Sequence, residues 1–248
     1  MKKLIYYSIN KNYLDLFLIS FKSLLNNVDF ETTDVLLITD KQTKCDSSIV
    51  GLPLLFHIIS IDNPFDSACG RFKIYEFDKI MNYDKVLYLD ADIVIIKNID
   101  IVFNYMTEKE IYTNQGYLSD LSHSNYTFNL TKEEKEKINS ENRYGINSGV
   151  FGFHIDKLCF FENLSIFIAN NKNLNLPLYE QPFFGTFLLR NNPYYLNIGN
   201  PLNSSTCDVL INNDVMSNFN NVESVVILHF AGDIGNKNSK KNKMNKYV

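Results

Sequence analysis

The chain has 248 residues, 45% of them hydrophobic, enough to bury the core of one α/β domain. Its 24 basic and 28 acidic side chains leave a net charge of −4, which argues against a protein that holds nucleic acid through overall charge. No run reaches the roughly 18 apolar residues of a membrane span, and the apolar start, Leu4 to Ile9, is too short for a signal peptide, so a cytoplasmic protein with no integral membrane span is expected.

Lys3 to Ile9 reads as a first strand. Leu14, Phe17, Leu18, Phe21, Leu24 and Leu25 then recur at helical spacing. Val35–Thr39 and Phe56–Ile61 are short buried strands. Arg71–Met81 reads as a helix with Phe72, Tyr75, Phe77 and Ile80 as its apolar positions. Val86–Leu89 is a strand that runs directly into Asp90. Strand and helix alternate through this half, which predicts an α/β fold with a mostly parallel central sheet flanked by helices.

Residues 114–144 are polar and irregular and read as an insertion or lid loop, inside which Thr131 and Glu134 form a capping box for a short charged helix. Asn147–His154 and Val225–Phe230 are predicted strands, and Asp156–Asn170 and Tyr179–Arg190 predicted helices. The lysine-rich stretch 235–248 reads as a solvated tail, close enough to the preceding strand to fold over a ligand. One domain, 1–234, is expected ahead of it. The cysteines Cys45, Cys69, Cys159 and Cys207 form no CxxC pair and match no zinc spacing, so they are expected reduced.

The sharpest chemical signal is Asp90-Ala91-Asp92 at the end of an apolar strand. Two carboxylates there repel each other unless a cation joins them, and hard oxygen ligands suit Mg2+ or Mn2+. His229 ends another strand, in Leu228-His229-Phe230-Ala231-Gly232, ahead of a small-residue turn and Lys237. Backbone N–H groups and an ammonium in that place favour an anion such as phosphate.

Taken in order, these motifs resemble the retaining glycosyltransferases of family 8, the glycogenin-like and bacterial galactosyltransferase-like enzymes of the GT-A fold. The resemblance runs along nearly the whole chain. It takes in Ile9-Asn10-Lys11-Asn12-Tyr13, Lys73 seventeen positions before Asp90, and Tyr88-Leu89-Asp90-Ala91-Asp92. It continues through Asn147-Ser148-Gly149-Val150-Phe151 and Glu180-Gln181 to His229-Phe230-Ala231-Gly232.

The resemblance implies that Asp90, Asp92 and His229 hold a divalent metal, normally Mn2+, with Mg2+ the other candidate. It implies a UDP-sugar donor, with Asn10 and Tyr13 at the uracil, Ile9 offering backbone, and Ala91 at the ribose. Lys73, with Arg71 able to share its role, would touch the donor's phosphate or sugar. Asn147 and Ser148 would meet sugar hydroxyls, Glu180 and Gln181 would lie beside the reacting carbon, and Gly232 and Lys237 would contact the diphosphate. The acceptor would be a hydroxyl of a glycan, a lipid-linked sugar or a protein, and a homodimer stays open.

The chain departs from the family pattern in three places. Glu180 stands where Asp is usual, Gly235 stands where the basic residue after the glycine is usual, and the Pro-Trp that follows is missing. Two alternatives remain at this stage: a GT-A domain that binds nucleotide-sugar without turnover, and a haloacid-dehalogenase-type phosphatase using Asp90 as nucleophile.

Overall fold

In the computed structural model of the chain, which describes residues 1–115, 120–174, 176–191, 195–201, 208–211, 225–231 and 236–248, the first four strands form a parallel ladder. They are β1 (Lys3–Ser8), β2 (Thr33–Thr39), β3 (Leu55–Ile58) and β4 (Lys85–Leu89), in the order β3-β2-β1-β4. Leu4–Tyr7, Val35–Ile38 and Val86–Leu89 are buried without interruption. That is how strands covered on both faces read, as apolar runs with no polar alternation.

Parallel neighbours need crossovers, and helices supply them. Between β1 and β2 lies α1 (Leu14–Leu25), which buries Leu14, Leu16, Phe17, Phe21 and Leu24. After β2 come α2 (Lys41–Lys44) and α3 (Pro64–Cys69), the latter capped by Asn63, whose side chain accepts the Asp66 N–H. The helix predicted over 71–81 is instead two 3-10 stretches, Gly70–Glu76 and Ile80–Asn82, with Lys73 off helical geometry (φ −83°, ψ 16°). Its buried positions Ile74, Phe77 and Ile80 recur every three residues, a spacing that suits a 3-10 turn as well as an α-helix.

Beyond Asp90 the sheet becomes mixed. β5 (Ile93–Ile95), β6 (Ile111–Gln115), β7 (Ile146–His154), β8 (Tyr195–Pro201), β9 (Asp208–Ile211) and β10 (Val225–His229) complete the order β3-β2-β1-β4-β7-β6-β8-β9-β10-β5. β7 runs antiparallel to β4 and β6, and β10 antiparallel to β9 and β5. The register that results sets Leu89 beside Val150 and His229 beside Ile93. The ends of β4 and β10, the start of β5 and the first half of β7 therefore share one region.

The helices of this half are α4 (Asp100–Tyr105), α5 (Lys132–Ser140), α6 (Leu158–Asn171), α7 (Gln181–Asn191) and α8 (Lys237–Met244). Alternate residues of β1 feed two cores, one on each face of the sheet. Ile5 and Tyr7 join Phe17, Phe21, Phe103, Leu228 and Met244, while Leu4 and Tyr6 join Phe72, Tyr88, Phe151, Phe161 and Phe184. On the second face the rings stack in a row, Tyr88 on Phe151 at 4.8 Å and Phe151 on Phe161 at 5.4 Å.

Within 114–144 the predicted capping box is present at the start of α5, Thr131 and Glu134 each serving the other's backbone N–H. A small third core of Leu121, Tyr126, Ile138 and Leu189 ties this segment to α7. The lysine-rich tail, expected to be solvated, contains α8, which packs on α1 and buries Met244. Cys45, Cys69 and Cys159 are free thiols, and Cys207 lies outside the described residues. Among the described residues no helix is long and apolar enough to cross a membrane.

Candidate active site

β4 is buried to its last residue, and the chain leaves the sheet at Asp90, whose N–H donates to Gly149 O at 2.8 Å. Asp92 is tied to the end of β10 by Phe230 N–H on its carbonyl at 3.0 Å. These backbone links bring three sequence-distant side chains together. His229 Nε2 lies 3.2 Å from Asp92 Oδ1 and 3.7 Å from Asp90 Oδ2, and one ligand atom from each residue falls within 4.8 Å of the others. His229 is 2% exposed. Two carboxylate oxygens and an imidazole nitrogen make a donor set for a divalent transition ion.

Gly149 makes room for this triad. A Cβ there would fall 2.2 Å from His229 Cε1 and 2.7 Å from Asp90 Oδ2. No side chain but hydrogen fits, so the glycine of Asn147-Ser148-Gly149 is a steric requirement of the carboxylate–imidazole cluster. The cluster and its cradle together fit a bound cation.

Of the two bases on the 70–76 segment, Arg71 is the one that reaches this site. Its Nη2 lies 3.1 Å from Asp90 Oδ1, its Nη1 3.2 Å from Glu180 Oε1, and Nη1 also donates to Ser148 O at 2.8 Å. Nε donates to Ala68 O at 3.0 Å, and the guanidinium stands 4.9 Å over the Tyr88 ring. Burial pulls the guanidinium pKa down, but Asp90 and then Glu180 outweigh it and hold the pKa above its ordinary value. Lys73 is half-buried and, among the described residues, makes no hydrogen bond or ion pair with this cluster.

Glu180 and Gln181 are both buried, at 5% and 6% exposure, and both grip Ser148. Ser148 Oγ donates to Glu180 Oε1 at 2.8 Å, and Ser148 N–H donates to Gln181 Oε1 at 3.0 Å. Gln181 Nε2 donates to Asn125 O at 3.0 Å. Asn147 Oδ1 accepts the Gly149 N–H at 2.8 Å. The turn into α7 runs through Leu178 (φ 57°) and Tyr179 (φ 49°), two successive left-handed residues with side chains. Such backbone costs of order 1 kcal/mol or more per residue and persists where surrounding contacts demand it. These two residues lead directly into Glu180 and Gln181.

Of the residues expected at the nucleotide, Tyr13 lies on the short 3-10 turn Lys11–Tyr13 and Asn10 stands at its start. Asn10 caps that turn by accepting the Asn12 N–H at 2.9 Å and donates from Nδ2 to Ser67 Oγ at 2.9 Å. The Ile9 backbone is engaged with β2: its N–H donates to Ile38 O and its carbonyl accepts from Thr39 Oγ1 at 2.7 Å. Ala91 is buried between the two carboxylates. The Tyr13 ring is 44% exposed, with Lys237 Nζ 4.6 Å from its centroid and bonded to Asn12 O at 2.8 Å. Gly232 lies outside the described residues.

Sequence reasoning missed three groups. Lys240, on α8, donates to Asp92 Oδ2. Burial lowers the Asp92 carboxyl's affinity for charge, but Lys240 and then His229 outweigh it, and its pKa falls well below the usual carboxylate range. Tyr88 donates its hydroxyl to Asp90 Oδ1. Asn114, opposite Asn147 at a bulge between β6 and β7, is 1% exposed, and neither side-chain atom has a hydrogen-bond partner among the described residues. Only Tyr88, two residues before Asp90 in the motif, carried a signal in the sequence.

The family model for glycosyl transferase family 8 matches residues 70–237, more than half of the chain. A curated relative, UDP-glucuronate:xylan alpha-glucuronosyltransferase 2 of Arabidopsis thaliana, is 28% identical over 97 residues, spanning 36% of this chain and 16% of that protein. Among solved structures the chain is similar to the galactosyltransferase LgtC in complex with donor and acceptor sugar analogues, with TM-score 0.63 and 13% identity over 99% of this chain and 96% of that one. It is also similar to the glycosyltransferase GlyE of Streptococcus pneumoniae, with TM-score 0.52 and 17% identity over 79% of this chain and 45% of that one. At such identities the likeness carries the fold, the GT-A arrangement of helices around a central sheet. The match takes in the Asp90-Ala91-Asp92 turn, the Gly149 cradle, Glu180-Gln181 and His229, leaves no place for the phosphatase alternative, and shows that the chain belongs to glycosyl transferase family 8.

Proposed function

We propose that this chain is a retaining glycosyltransferase that moves a hexose from a UDP-sugar (UDP-glucose, UDP-galactose or UDP-N-acetylglucosamine) to a hydroxyl of a glycan, a lipid-linked sugar or a protein. The observation that carries the reading is the Asp90–Asp92–His229 cluster at the C-terminal ends of β4 and β10 in a GT-A sheet, with Gly149 shaped around it. These three residues would hold a divalent ion. The imidazole favours Mn2+ over Mg2+. When bound, the ion supplies charge neutralisation for the leaving diphosphate.

The chain's own residues do the rest. Arg71 fixes Asp90 and Glu180 in one orientation, so that the ligand carboxylate and the sugar-facing carboxylate move as a unit. Ser148, held by Glu180 and Gln181, and Asn147 beside it would present polar atoms to the sugar. The buried Asn114 amide offers a donor and an acceptor to a sugar hydroxyl close by. Tyr13 and Asn10 would take the base, Ala91 the ribose, and Lys237 the diphosphate. Glu180 is engaged by a guanidinium and a hydroxyl, which suits a positioning role better than that of a free nucleophile. An acceptor hydroxyl attacking from the leaving-group face, with its proton passing to a phosphate oxygen, needs no protein base. Water exclusion falls to α8 and to residues 120–144.

A second reading, a domain that binds the UDP-sugar without turning it over, draws support from Glu180 in place of Asp. A calorimetric titration tests the shared part. UDP is expected to bind in the presence of Mn2+ and to lose that binding with EDTA or in Asp92→Ala. UDP binding that ignores both treatments would overturn the metal-centred site.

A further inference from the structure

Asp92 has two claimants in the structure. One of its oxygens faces His229 at 3.2 Å, and the other holds the Lys240 ammonium, whose side chain is only 13% exposed. Lys240 is carried there by α8, and the helix is anchored independently of it. Met244 is fully buried, Lys241 pairs with Asp15 at 2.9 Å, Lys237 bonds Asn12 O at 2.8 Å, and the Tyr247 ring packs against Phe230 at 6.1 Å. α8 is therefore a built support that delivers one ammonium to the carboxylate.

The local charges make this placement consequential. Three carboxylates, Asp90, Asp92 and Glu180, face two cationic side chains, Arg71 and Lys240. Arg71 is fixed by hydrogen bonds to Ser148 O and Ala68 O as well as by its ion pairs. Lys240 is a compact ammonium on a flexible stem, able to move by the length of its side chain while α8 stays seated. A divalent ion entering this cluster turns its net charge positive. The ammonium is then repelled from the carboxylate it shares with the ion and attracted to any polyanion beside the ion.

Resting on the metal-centred reading above, we propose that Lys240 and the divalent cation are alternative counter-ions of Asp92, and that on cation binding the Lys240 ammonium passes to the diphosphate of the donor. Lys240 thus holds Asp92 in place before the cation arrives and becomes a leaving-group contact afterwards. Cation and donor binding are coupled through one side chain.

The test uses the full chain, stripped with EDTA, and titrates Mn2+ calorimetrically onto wild type, Lys240→Met, Lys241→Met and Asp92→Ala without nucleotide, then UDP at saturating Mn2+. Lys240→Met is expected to bind Mn2+ about tenfold more tightly than wild type, because a competing positive charge is gone. The same variant is expected to bind UDP about tenfold more weakly, because a charge-assisted hydrogen bond is gone. Lys241→Met, which loses an exposed ion pair from the same helix, should match wild type in both. General loosening of α8 would weaken both affinities in Lys240→Met, so the opposed signs identify the exchange. Unchanged or weaker Mn2+ binding, or undiminished UDP binding, in Lys240→Met overturns the proposal. Wild type that binds no Mn2+, or Asp92→Ala that binds it as well as wild type, overturns the metal-centred reading and this proposal with it.

Discussion

Gly149 lies so close against His229 that a Cβ at position 149 would come within 2.2 Å of the imidazole Cε1. The added methyl of Gly149→Ala has to push His229 or Asp90 aside, and overpacking of this kind costs about 1–3 kcal/mol. The variant is expected to fold, to lose at least about tenfold in Mn2+ affinity, and to lose about a hundredfold in turnover, since a 1 Å misplacement of a reacting assembly is worth that much. Circular dichroism with a Mn2+ titration checks both halves. An alanine variant with wild-type Mn2+ affinity would remove the steric argument.

Arg71 spans Asp90 and Glu180, and removing one member of a buried pair leaves the others without compensation. Arg71→Met is expected to lose about 3 kcal/mol of stability. Arg71→Lys restores the charge without the fork, so it should recover only part of that loss. Lys73→Met should stay within about 0.5 kcal/mol of wild type. Urea unfolding of the three variants separates the two bases, and equal losses at 71 and 73 would contradict the assignment.

These two positions mark where the sequence was legible and where it was not. The Asp90-Ala91-Asp92 turn was readable because an apolar strand ends in paired charges, a local pattern. β1, β2 and β4 were readable as apolar runs, whereas β3, expected to be buried, carries His57 and is half-buried with Ile58 exposed; the capping box at Thr131 and Glu134 was readable residue by residue. The preference for Arg71 over Lys73 was not readable, because it depends on a 3-10 path through Gly70–Glu76 that redirects successive side chains. α8 was unreadable for a different reason: Met244 is its one buried residue, so it shows no apolar stripe. Asn114 sits opposite Asn147 only through a bulge, and bulges leave little trace in composition.

Glu180 carries one methylene more than the Asp usual at its place, and the structure uses that length to reach Arg71 at 3.2 Å and Ser148 Oγ at 2.8 Å. Glu180→Asp is therefore expected to lower turnover about tenfold instead of improving it, with Ser148 Oγ losing its carboxylate acceptor while Arg71 and Gln181 still hold the residue. Steady-state kinetics with whichever UDP-sugar supports UDP release decides this. Higher turnover in Glu180→Asp would mean that the longer side chain is an impairment.

Arg190 and Glu134 form a forked pair, Nε to Oε1 at 2.6 Å and Nη2 to Oε2 at 3.1 Å, which ties α7 to α5. The hydrogen bond from Arg190, against a smaller opposing effect of burial, lowers the Glu134 pKa. A depressed folded-state pKa contributes stability above the ordinary glutamate value of about 4.3, and that contribution disappears as pH falls through the lower folded value. Both side chains are partly exposed, so screening limits the effect to about 1 kcal/mol. Arg190→Met should be less stable than wild type by about that amount at pH 7, and the gap should close near pH 3. A gap that is constant with pH would assign the loss to packing.

Transfer from a UDP-sugar at a cation site made by Asp90, Asp92 and His229 is tested by UDP release from the purified chain with Mn2+ and a panel of UDP-sugars, alongside Asp92→Ala and an EDTA-treated sample. Slow donor hydrolysis needs no acceptor, so the assay works with the acceptor unidentified. Release from one UDP-sugar, abolished in both controls, is the expected result. Release that persists in Asp92→Ala or in EDTA, or no release from any UDP-sugar, would contradict it.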